Sequence, residues 1–448
     1  MGAEPRGRVV RDCVRSINSG PVPGGWSRVD ELKSPGKPFE ISKWAVWEAW
    51  EKVKANQGAP GVDGQSIEAF EADLRGNLYK IWNRMSSGSY FPPPVRAVPI
   101  PKAHGAGIRV LGVPTVADRV AQTVVAVELE KRVELIFHPD SFGYRPGRSA
   151  IDAVGVCRQR CWRFDWVVEF DIRRFFDTVR HEPIVKAVAA HCDLPWVLLY
   201  VKRWLTAPLQ QPDGSLDKRE RGTPQGSAIS PVLANLFLHY AFDVWIGREF
   251  PAVQFERYAD DAVVHCSSLE QARSVLAAIR ERMGEVGLEL HPDKTRIVYC
   301  MDGTRRGTYD HTEFTFLGFT FRARGARRKD GRMFLNFAPA VSKDALKKMS
   351  AQVRAWRLHR RTRSSEHDLA RLINPVVRGW MQYYGAFYRS ALYPLLGRIN
   401  AYLMRWSRNK YKRLSNRKKA RAQWETAVML RPKFFAHWAW VTWVPPVW

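Results

Sequence analysis

Long apolar runs are missing from this sequence of 448 residues. No segment approaches the roughly 18 consecutive apolar residues that a membrane-spanning helix needs, so we expect a soluble protein without a membrane partner. The N-terminal arginines are not followed by a continuous apolar segment, which argues against a secretory signal. The sequence therefore predicts a cytoplasmic protein.

Cysteine is also scarce. The six cysteines form no C-x-x-C pair, which favours reduced thiols and argues against a zinc module. Cys157 and Cys161 have apolar neighbours and are expected to be buried on one helix. The sequence contains no H-E-x-x-H, G-x-S-x-G or Gly-Lys-Ser/Thr motif, so it lacks the signatures of zinc proteases, serine hydrolases and P-loop enzymes.

Acidic residues are few compared with basic ones. The chain has 71 lysines and arginines against 44 acidic residues, a formal net charge of +27, and residues 341–448 carry 23 of the basic residues but only 4 of the acidic ones. The electric field of such a positively charged protein attracts polyanions. Nucleic acid is therefore the expected partner, although a single charge run can also be a solvated helix face. The side chains expected to grip its phosphates are Arg378, Lys410, Lys412, Arg413, Arg417, Lys418 and Lys419.

Apolar residues with helical spacing organise the same basic region. Stripes that begin at Leu346, Leu369 and Leu395 predict three amphipathic helices, the first of them capped by Ser342. A leader rich in glycine and proline is predicted to precede a mixed helix and strand part, a helical part and a short basic, aromatic tail. These four segments are residues 1–40, 41–335, 336–420 and 421–448.

Three aspartates mark the mixed part. An apolar run ends in Asp171, and Asp260 and Asp261 lie between two β-forming runs, which is typical of a hairpin with acids at its tip. Adjacent carboxylates repel each other unless cations neutralise them, and oxygen ligands suit Mg²⁺ better than zinc. Phosphoryl transfer uses two such ions to clamp the attacking and leaving oxygens. The three aspartates are therefore candidate Mg²⁺ ligands, with a simple exposed turn as the alternative interpretation of the Asp-Asp pair.

Ordered sequence blocks surround these acids. Tyr258-Ala259-Asp260-Asp261 is the Y-x-D-D box of reverse transcriptases, and further blocks occur in the order found in those enzymes. The chain resembles the bacterial group II intron-encoded reverse transcriptase/maturase family, in the short form that lacks an H-N-H endonuclease domain. The resemblance covers about residues 41–438. Its blocks are 99–114, 141–149, 166–171, 221–235, 258–261, 287–295 and 316–319.

The resemblance implies a right-hand polymerase fold of the α+β class. Fingers and a palm with an antiparallel sheet would be followed by an all-helical thumb/maturase domain. In such a fold Asp171, Asp260 and Asp261 are the catalytic residues and, with the backbone of Ile172, hold two Mg²⁺, for which Mn²⁺ can substitute. The primer 3′ hydroxyl then attacks the α-phosphate of a dNTP.

The resemblance also places residues around the incoming nucleotide. Lys102 and Arg109 would neutralise the β and γ phosphates, which suits a point charge and a bidentate fork, unless they are plain surface charges. Phe176 matches the aromatic gate that excludes a ribose 2′ hydroxyl, or it belongs to the core. The backbone N–H groups of Arg174 and Phe175 would contact the triphosphate, and Gln225 would lie near the sugar. The residues expected to bind the dNTP are Lys102, Arg109, Arg174, Phe175, Phe176 and Gln225.

Primer, template and intron contacts follow from the later blocks. Lys294 is expected near the catalytic carboxylates, with a solvated lysine as the alternative. Leu317, Gly318 and Phe319 resemble the primer grip. Residues 374–385 resemble the thumb and maturase segment, which implies binding of structured intron RNA.

The predicted function is an RNA-directed DNA polymerase that copies intron RNA into cDNA and promotes group II intron splicing and mobility as a maturase. Its partners would be intron RNA, an RNA template with a DNA primer, target DNA and dNTPs, with homodimerisation left open. A bacterial member would associate with the nucleoid during insertion. Two alternatives stay open, a domesticated reverse transcriptase in antiviral defence or repair and an RNA-binding splicing cofactor without polymerase activity.

Overall fold

The chain folds into two units, each formed by two stretches of sequence. The first unit comprises Met1–Ile136 and Phe176–Phe237, and the second comprises Phe137–Phe175 and Leu238–Trp448. The structure, a computed structural model, describes residues 36–101, 107–327 and 330–445. Most of the predicted leader and Lys102 therefore lie outside the described residues.

Helices and strands are mixed along the described residues. The α-helices are α1 (Lys43–Asn56), α2 (Ile67–Ala72), α3 (Leu74–Ser86), α4 (Val116–Val133), α5 (Ala150–Cys161), α6 (Phe175–Thr178), α7 (His181–His191), α8 (Pro195–Thr206), α9 (Ser230–Leu238), α10 (Val244–Glu249), α11 (Leu269–Glu285), α12 (Lys343–Ala355), α13 (Glu366–Tyr384), α14 (Tyr393–Lys410) and α15 (Arg417–Leu430). The strands are β1 (Val95–Pro101), β2 (Ile108–Val113), β3 (Trp166–Asp171), β4 (Leu209–Gln210), β5 (Leu216–Asp217), β6 (Gln254–Tyr258), β7 (Asp261–Cys266), β8 (Arg296–Tyr299), β9 (Glu313–Phe316), β10 (Phe319–Arg327) and β11 (Met333–Val341). Pairing among these strands is antiparallel except between β1 and β4. The predicted α+β class is confirmed.

The first unit is built around helices and a small sheet with the order β2-β1-β4-β5. Its core holds a fully buried carboxyl group, that of Asp118 on α4. Asp118 accepts hydrogen bonds from the Tyr90 hydroxyl at 2.9 Å, the Trp204 indole at 2.7 Å and the Gln122 amide at 2.8 Å. Burial raises the pKa of Asp118 to about 6, although these three donors oppose the shift.

The second unit contains a four-stranded sheet with the order β6-β7-β3-β8. Side chains alternate between its faces, and Val167, Val263 and Val298 from three neighbouring strands share one buried cluster. Helix α5 covers this face through Cys157 and Cys161, which are fully buried as predicted. The predicted helix that carries both cysteines is confirmed.

A second sheet, β11-β10-β9, leads into the C-terminal helices. Strand β11 pairs with β10 up to its last residue, Val341, so the predicted boundary at residue 336 falls inside this strand. The first three residues of β11, Met333 to Leu335, are exposed, and they pair with Gly325 to Arg327 of β10.

Helices α12, α13 and α14 occupy the three predicted amphipathic stretches. Ser342 caps α12 by accepting a hydrogen bond from the Ala345 amide at 3.2 Å, as predicted. Helix α13 continues through Pro375. Within residues 343–445, as far as the structure describes them, all regular elements are helical. Among the described residues, no helix is both long and apolar enough to cross a bilayer.

Candidate active site

The three predicted catalytic aspartates lie at one end of the β6-β7-β3-β8 sheet. Asp171 is the last residue of β3, and it pairs directly with Asp261, the first residue of β7. Residues directly opposite each other on antiparallel strands present their side chains on the same face, with Cβ atoms about 4.5–5.5 Å apart. Asp260 immediately precedes Asp261. The fold therefore brings together acids that are 90 residues apart in the sequence.

A tight turn connects β6 to β7 and presents the two adjacent acids. Tyr258 pairs with Asp261, so Ala259 and Asp260 form a two-residue turn. Ala259 has a φ of 57°, in the left-handed region, and a positive φ at this position is typical of the primed turns that join antiparallel strands. Because a non-glycine residue pays a conformational cost there, the surrounding structure must hold the turn in place.

Electrostatics at this edge favours cations. Asp261 retains solvent access, but the surrounding protein partly desolvates its carboxyl group. This desolvation, together with the neighbouring charges of Asp260 and Asp171, raises the pKa of Asp261 to about 7. The Lys294 ammonium donates a hydrogen bond to Asp171 Oδ2 at 2.7 Å. This arrangement of carboxylate oxygens is the donor set that Mg²⁺ prefers.

Lys294 reaches Asp171 because two chain segments pair next to the acids. The His291 amide donates to the Asp171 carbonyl at 2.8 Å, and Ile172 forms a bridge with Leu290. Lys294 ends the short 3₁₀ turn that follows His291. The Lys294 side chain is 60% exposed, and its ammonium contacts Asp171, a predicted catalytic acid.

Sequence analysis missed the groups that support the turn. The buried Arg257 guanidinium donates from Nη1 to the Ala259 carbonyl at 3.0 Å and from Nη2 to the Ser141 hydroxyl at 2.8 Å. Arg257 also donates to both carboxylate oxygens of Asp243, at 2.7 and 2.6 Å. Burial alone would raise the pKa of Asp243, but the Arg257 charge and hydrogen bonds outweigh burial and lower it. The Glu256-Arg257 pair between two aromatic residues of β6 was the available sequence signal.

Gly143 is a second supporting residue that sequence analysis did not single out. A Cβ atom at this position would lie 2.4 Å from the Ala259 nitrogen, a distance that real Cβ atoms do not reach. Gly143 belongs to the sequence block 141–149, and the adjacent Phe142 amide donates to the Arg257 carbonyl at 2.8 Å. That block therefore supports the turn from the side.

Several residues predicted to bind the dNTP lie in the first unit. The Gly112 amide on β2 donates to the Gln225 carbonyl at 2.8 Å, and a Cβ on Gly226 would lie 2.7 Å from the Gly112 carbonyl oxygen. Arg109 is exposed on the same strand. The Phe176 carbonyl accepts a hydrogen bond from the Thr223 amide at 2.8 Å. Phe176 therefore lies beside the segment that contains Gln225.

Two neighbouring phenylalanines differ in burial. Phe175 is 2% exposed and is a core side chain, whereas Phe176 is half-buried and presents part of its ring to solvent. Arg174, just before them, is exposed and has a left-handed φ of 49°. Of the two rings, only that of Phe176 is accessible enough to contact a nucleotide.

The predicted primer grip lies at the turn between β9 and β10. Leu317 and Gly318 have positive φ values of 51° and 79°, and the Tyr383 hydroxyl at the end of α13 donates to the Leu317 carbonyl at 2.9 Å. Phe319 is fully buried against the Tyr383 and Tyr384 rings. Its side chain therefore packs in the core, where it cannot contact a primer.

The predicted nucleic-acid grip is mostly accessible. Lys410 differs from the others, because its ammonium donates to the Ser364 carbonyl at 2.7 Å and is half-buried. The exposed members are Arg378, Lys412, Arg413, Arg417, Lys418 and Lys419.

Two known protein families match this chain, one over the part that contains the aspartates and one over the C-terminal helices. Residues 100–321 match the family described as reverse transcriptase (RNA-dependent DNA polymerase), and residues 346–424 match the group II intron maturase-specific domain. The first match contains all three aspartates and the β6-β7-β3-β8 sheet. The second covers α13 and α14.

Individual relatives agree with these families. Protein YkfC of Escherichia coli K12 is 30% identical over 325 residues, which are 62% of this chain and 83% of the relative. The group II intron-encoded protein LtrA of Lactococcus lactis is 30% identical over 193 residues, 43% of this chain and 32% of LtrA. A putative COX1/OXI3 intron 1 protein of Saccharomyces cerevisiae is 28% identical over 198 residues, 44% of this chain and 23% of that protein.

The reverse transcriptase domain makes this protein an RNA-dependent DNA polymerase, a nucleotidyltransferase. With its maturase-specific domain, the chain belongs to the group II intron reverse transcriptase/maturase family. The matches do not favour the two alternative functions, a domesticated defence or repair enzyme and a splicing cofactor without polymerase activity. Reverse transcriptase domains generally use divalent metal ions, and the maturase-specific domain implies binding of intron RNA.

Proposed function

We propose that this chain joins dNTPs to a DNA primer on an RNA template at Asp171, Asp260 and Asp261. The observation that carries the proposal is the direct pairing of Asp171 with Asp261 beside the turn that holds Asp260. The primer 3′ hydroxyl would form a bond to the α-phosphorus of the dNTP, and the bond to pyrophosphate would break. The β6-β7-β3-β8 sheet would be the palm, the first unit would supply the fingers, and α12 to α14 would be the thumb.

The donor set fits two Mg²⁺ or Mn²⁺ ions, because all three side chains are carboxylates. When bound, such ions lower the pKa of the attacking hydroxyl and neutralise the phosphate charge. Asp171, Asp260 and Asp261 would hold them, together with the Ile172 backbone. Lys294 would limit the repulsion between the carboxylates while keeping Asp171 oriented, since its ammonium contacts that side chain.

Nucleotide contacts are proposed for residues outside the acids. Arg109 would bind the triphosphate with Lys102, and Gln225 would lie near the sugar. The partly exposed ring of Phe176 would crowd a ribose 2′ hydroxyl. Arg174 and Phe175 would offer backbone N–H groups, and Leu317 to Phe319 would support the primer through their backbone.

The maturase activity would use the exposed basic residues of the C-terminal helices to bind intron RNA for splicing and mobility. Target DNA would bind the same positively charged region. Homodimerisation and association with the nucleoid stay predictions.

A primer-extension assay tests the polymerase. The full chain, an RNA template with an annealed DNA primer, dNTPs and Mg²⁺ should give cDNA, and Asp260→Ala should lower the rate at least about a hundredfold, because several kcal/mol of charge stabilisation are lost. Asp310→Ala, which removes an exposed carboxylate of the same unit, should leave the rate unchanged. Unimpaired synthesis by Asp260→Ala would contradict the proposal.

A further inference from the structure

A pocket opens on the second unit between α14, α15 and the segment 442–445. Its volume is about 550 Å³, within the range of about 300–1,000 Å³ that is typical of sites for small ligands. The proposed polymerase chemistry uses none of the side chains that line it.

Arginines dominate the polar part of this lining. Among the described residues that line the pocket, Glu425 is the one acidic residue, and Arg421 pairs with it at 3.0 Å. Arg408 is oriented by the Ser415 carbonyl, to which its Nε and Nη2 donate at 3.2 and 2.9 Å. The lining arginines are Arg405, Arg408, Arg417 and Arg421. Guanidinium groups bind phosphate oxygens through paired hydrogen bonds, so the charge of this pocket fits a ligand that carries phosphate.

One wall of the pocket is an aromatic ring that packs against a helix. Trp443 is 49% exposed, and its ring lies beside Gly397 of α14, where a Cβ atom would come within 2.8 Å of two ring carbons. Glycine at this position therefore lets the indole approach the helix closely. An exposed indole held in this way is a surface on which a nucleobase can stack.

A buried asparagine fixes the segment that carries Trp443. Asn400 on α14 is 0% exposed, and its Nδ2 donates to the Val441 and Trp443 carbonyls at 3.0 and 2.9 Å. The Trp424 indole donates to the Thr442 carbonyl between them at 2.8 Å, which ties α15 to the same segment. Because three successive carbonyls are held, a ligand would not have to order this wall when it binds.

We propose that this pocket binds one unpaired nucleotide of RNA, with its base stacked on Trp443 and its phosphate held by the lining arginines. The inference rests on the proposed RNA binding by the C-terminal helices, and it adds a site that admits unpaired but not paired nucleotides. In an A-form duplex each base is stacked on its neighbours and hydrogen-bonded to the other strand, so it cannot enter a pocket.

A base with a phosphate also occurs in single-stranded DNA. RNA is the source that we assign, because the α14 residues of the lining and those of α15 up to Trp424 lie inside the match to the group II intron maturase-specific domain.

The test is equilibrium binding of a labelled uridine dodecamer, alone or annealed to its adenosine complement, by the full chain. Trp443→Ala should weaken binding of the single strand about 5- to 150-fold, the range expected for one lost base–aromatic stack, and Trp443→Phe should restore most of it. Binding of the duplex should not change. Because Trp443 carries no charge, its loss should leave the salt dependence unchanged, whereas Arg405→Gln should reduce the magnitude of the slope of log K against log salt by about 0.7.

A second variant fills the pocket without removing a ring or a charge. Ala401→Leu enlarges a side chain of the lining on α14, where leucine is a good helix former, and it should weaken binding of the single strand but not of the duplex. Ala422→Leu is the matched control, because Ala422 is exposed on α15 and does not line the pocket. Its binding should equal that of the wild type.

The outcomes separate this site from the proposed function. Full retention of single-strand binding by Trp443→Ala and Ala401→Leu would overturn the pocket and leave the proposed RNA binding standing. A loss seen only with a thymidine dodecamer of DNA would overturn the assignment to RNA. A wild-type chain that binds neither form of RNA would overturn both the site and the proposed RNA binding.

Discussion

Arg257 and Asp243 form a bidentate ion pair inside the second unit, with the guanidinium side chain 2% and the carboxylate 0% exposed. The same guanidinium holds the carbonyl of Ala259, the residue with a left-handed φ in the turn before Asp260. One buried arginine therefore links the conformation of the turn to the ion pair. We expect this link to position the aspartates that we propose to be catalytic.

A single and a double variant of the Arg257–Asp243 ion pair distinguish its effect on stability from its effect on activity. Arg257→Ala leaves Asp243 buried without its partner and should lower the free energy of unfolding by about 3–5 kcal/mol, measured by urea unfolding. The double variant Arg257→Met/Asp243→Leu removes both charges and should be more stable than the single variant. Primer extension by the double variant should still be impaired, since the Ala259 carbonyl loses its donor. Full activity in that variant would show that the guanidinium does not support the turn.

Gly143→Ala tests the contact on the other side of the turn. The new methyl group would lie 2.4 Å from the Ala259 nitrogen, so the turn must move and cDNA synthesis should fall at least about tenfold, a loss of about 1.4 kcal/mol in transition-state stabilisation. Gly155→Ala is the control, because its Cβ would meet nothing closer than 3.9 Å and alanine favours the α5 helix. Equal activity of the two variants would argue against a role for Gly143.

The sequence predicted the parts of the site that local pattern determines. Asp171 follows an apolar run, Asp260 and Asp261 stand between two β-forming runs, and helical stripes located α12 to α14. These features depend on neighbours a few residues away in the sequence. The spacing of apolar residues along the chain therefore predicts them.

Features that depend on distant pairing were not predicted. Arg257 meets Asp243 because Asp243 ends a short π-helical segment, His239–Asp243, that packs against β6. Lys410 looks like its basic neighbours in sequence, yet its ammonium is held by the Ser364 carbonyl. Phe319 resembles a primer contact but packs against helix α13. Each outcome is determined by a partner that the local pattern does not contain.

Asp118 predicts a pH dependence of stability in the first unit. Its pKa is about 6 in the fold, above the ordinary value of 3.8, so the folded state binds the proton more tightly than the unfolded state. Stability from this group is therefore present at acidic pH and is lost as the pH rises from about 4 to about 6. The loss is at most about 3 kcal/mol, from about 1.4 kcal/mol per pKa unit.

Asp118→Asn isolates this effect because asparagine does not titrate. The difference in unfolding free energy, wild type minus variant, should decrease between pH 4 and pH 6 and become constant above that range. Urea unfolding at several pH values measures it. A difference that is the same at every pH would show that Asp118 does not titrate in this window.

Phe176→Ala distinguishes the gate from the core interpretation. A gate that crowds the ribose 2′ hydroxyl should, when removed, raise incorporation of rNTPs relative to dNTPs by at least about tenfold, which is a change of about 1.4 kcal/mol in discrimination. A purely structural ring would lower stability and leave that ratio unchanged. Phe91→Ala, which removes a ring that is 70% exposed in the same unit, controls for general effects. Single-nucleotide primer extension with each nucleotide type gives the ratio.

Replacing Arg417, Lys418 and Lys419 by alanine tests the phosphate grip. All three side chains are exposed at the start of α15. The slope of log K against log salt is negative, and removing one cation that neutralises a phosphate should reduce its magnitude by about 0.7–0.9. RNA binding should therefore become weaker and less sensitive to salt. The control replaces Lys343, Lys347 and Lys348, exposed on α12, which removes the same charge elsewhere in the unit. If both triple variants bind RNA with the same affinity and slope, net charge rather than this basic run determines binding.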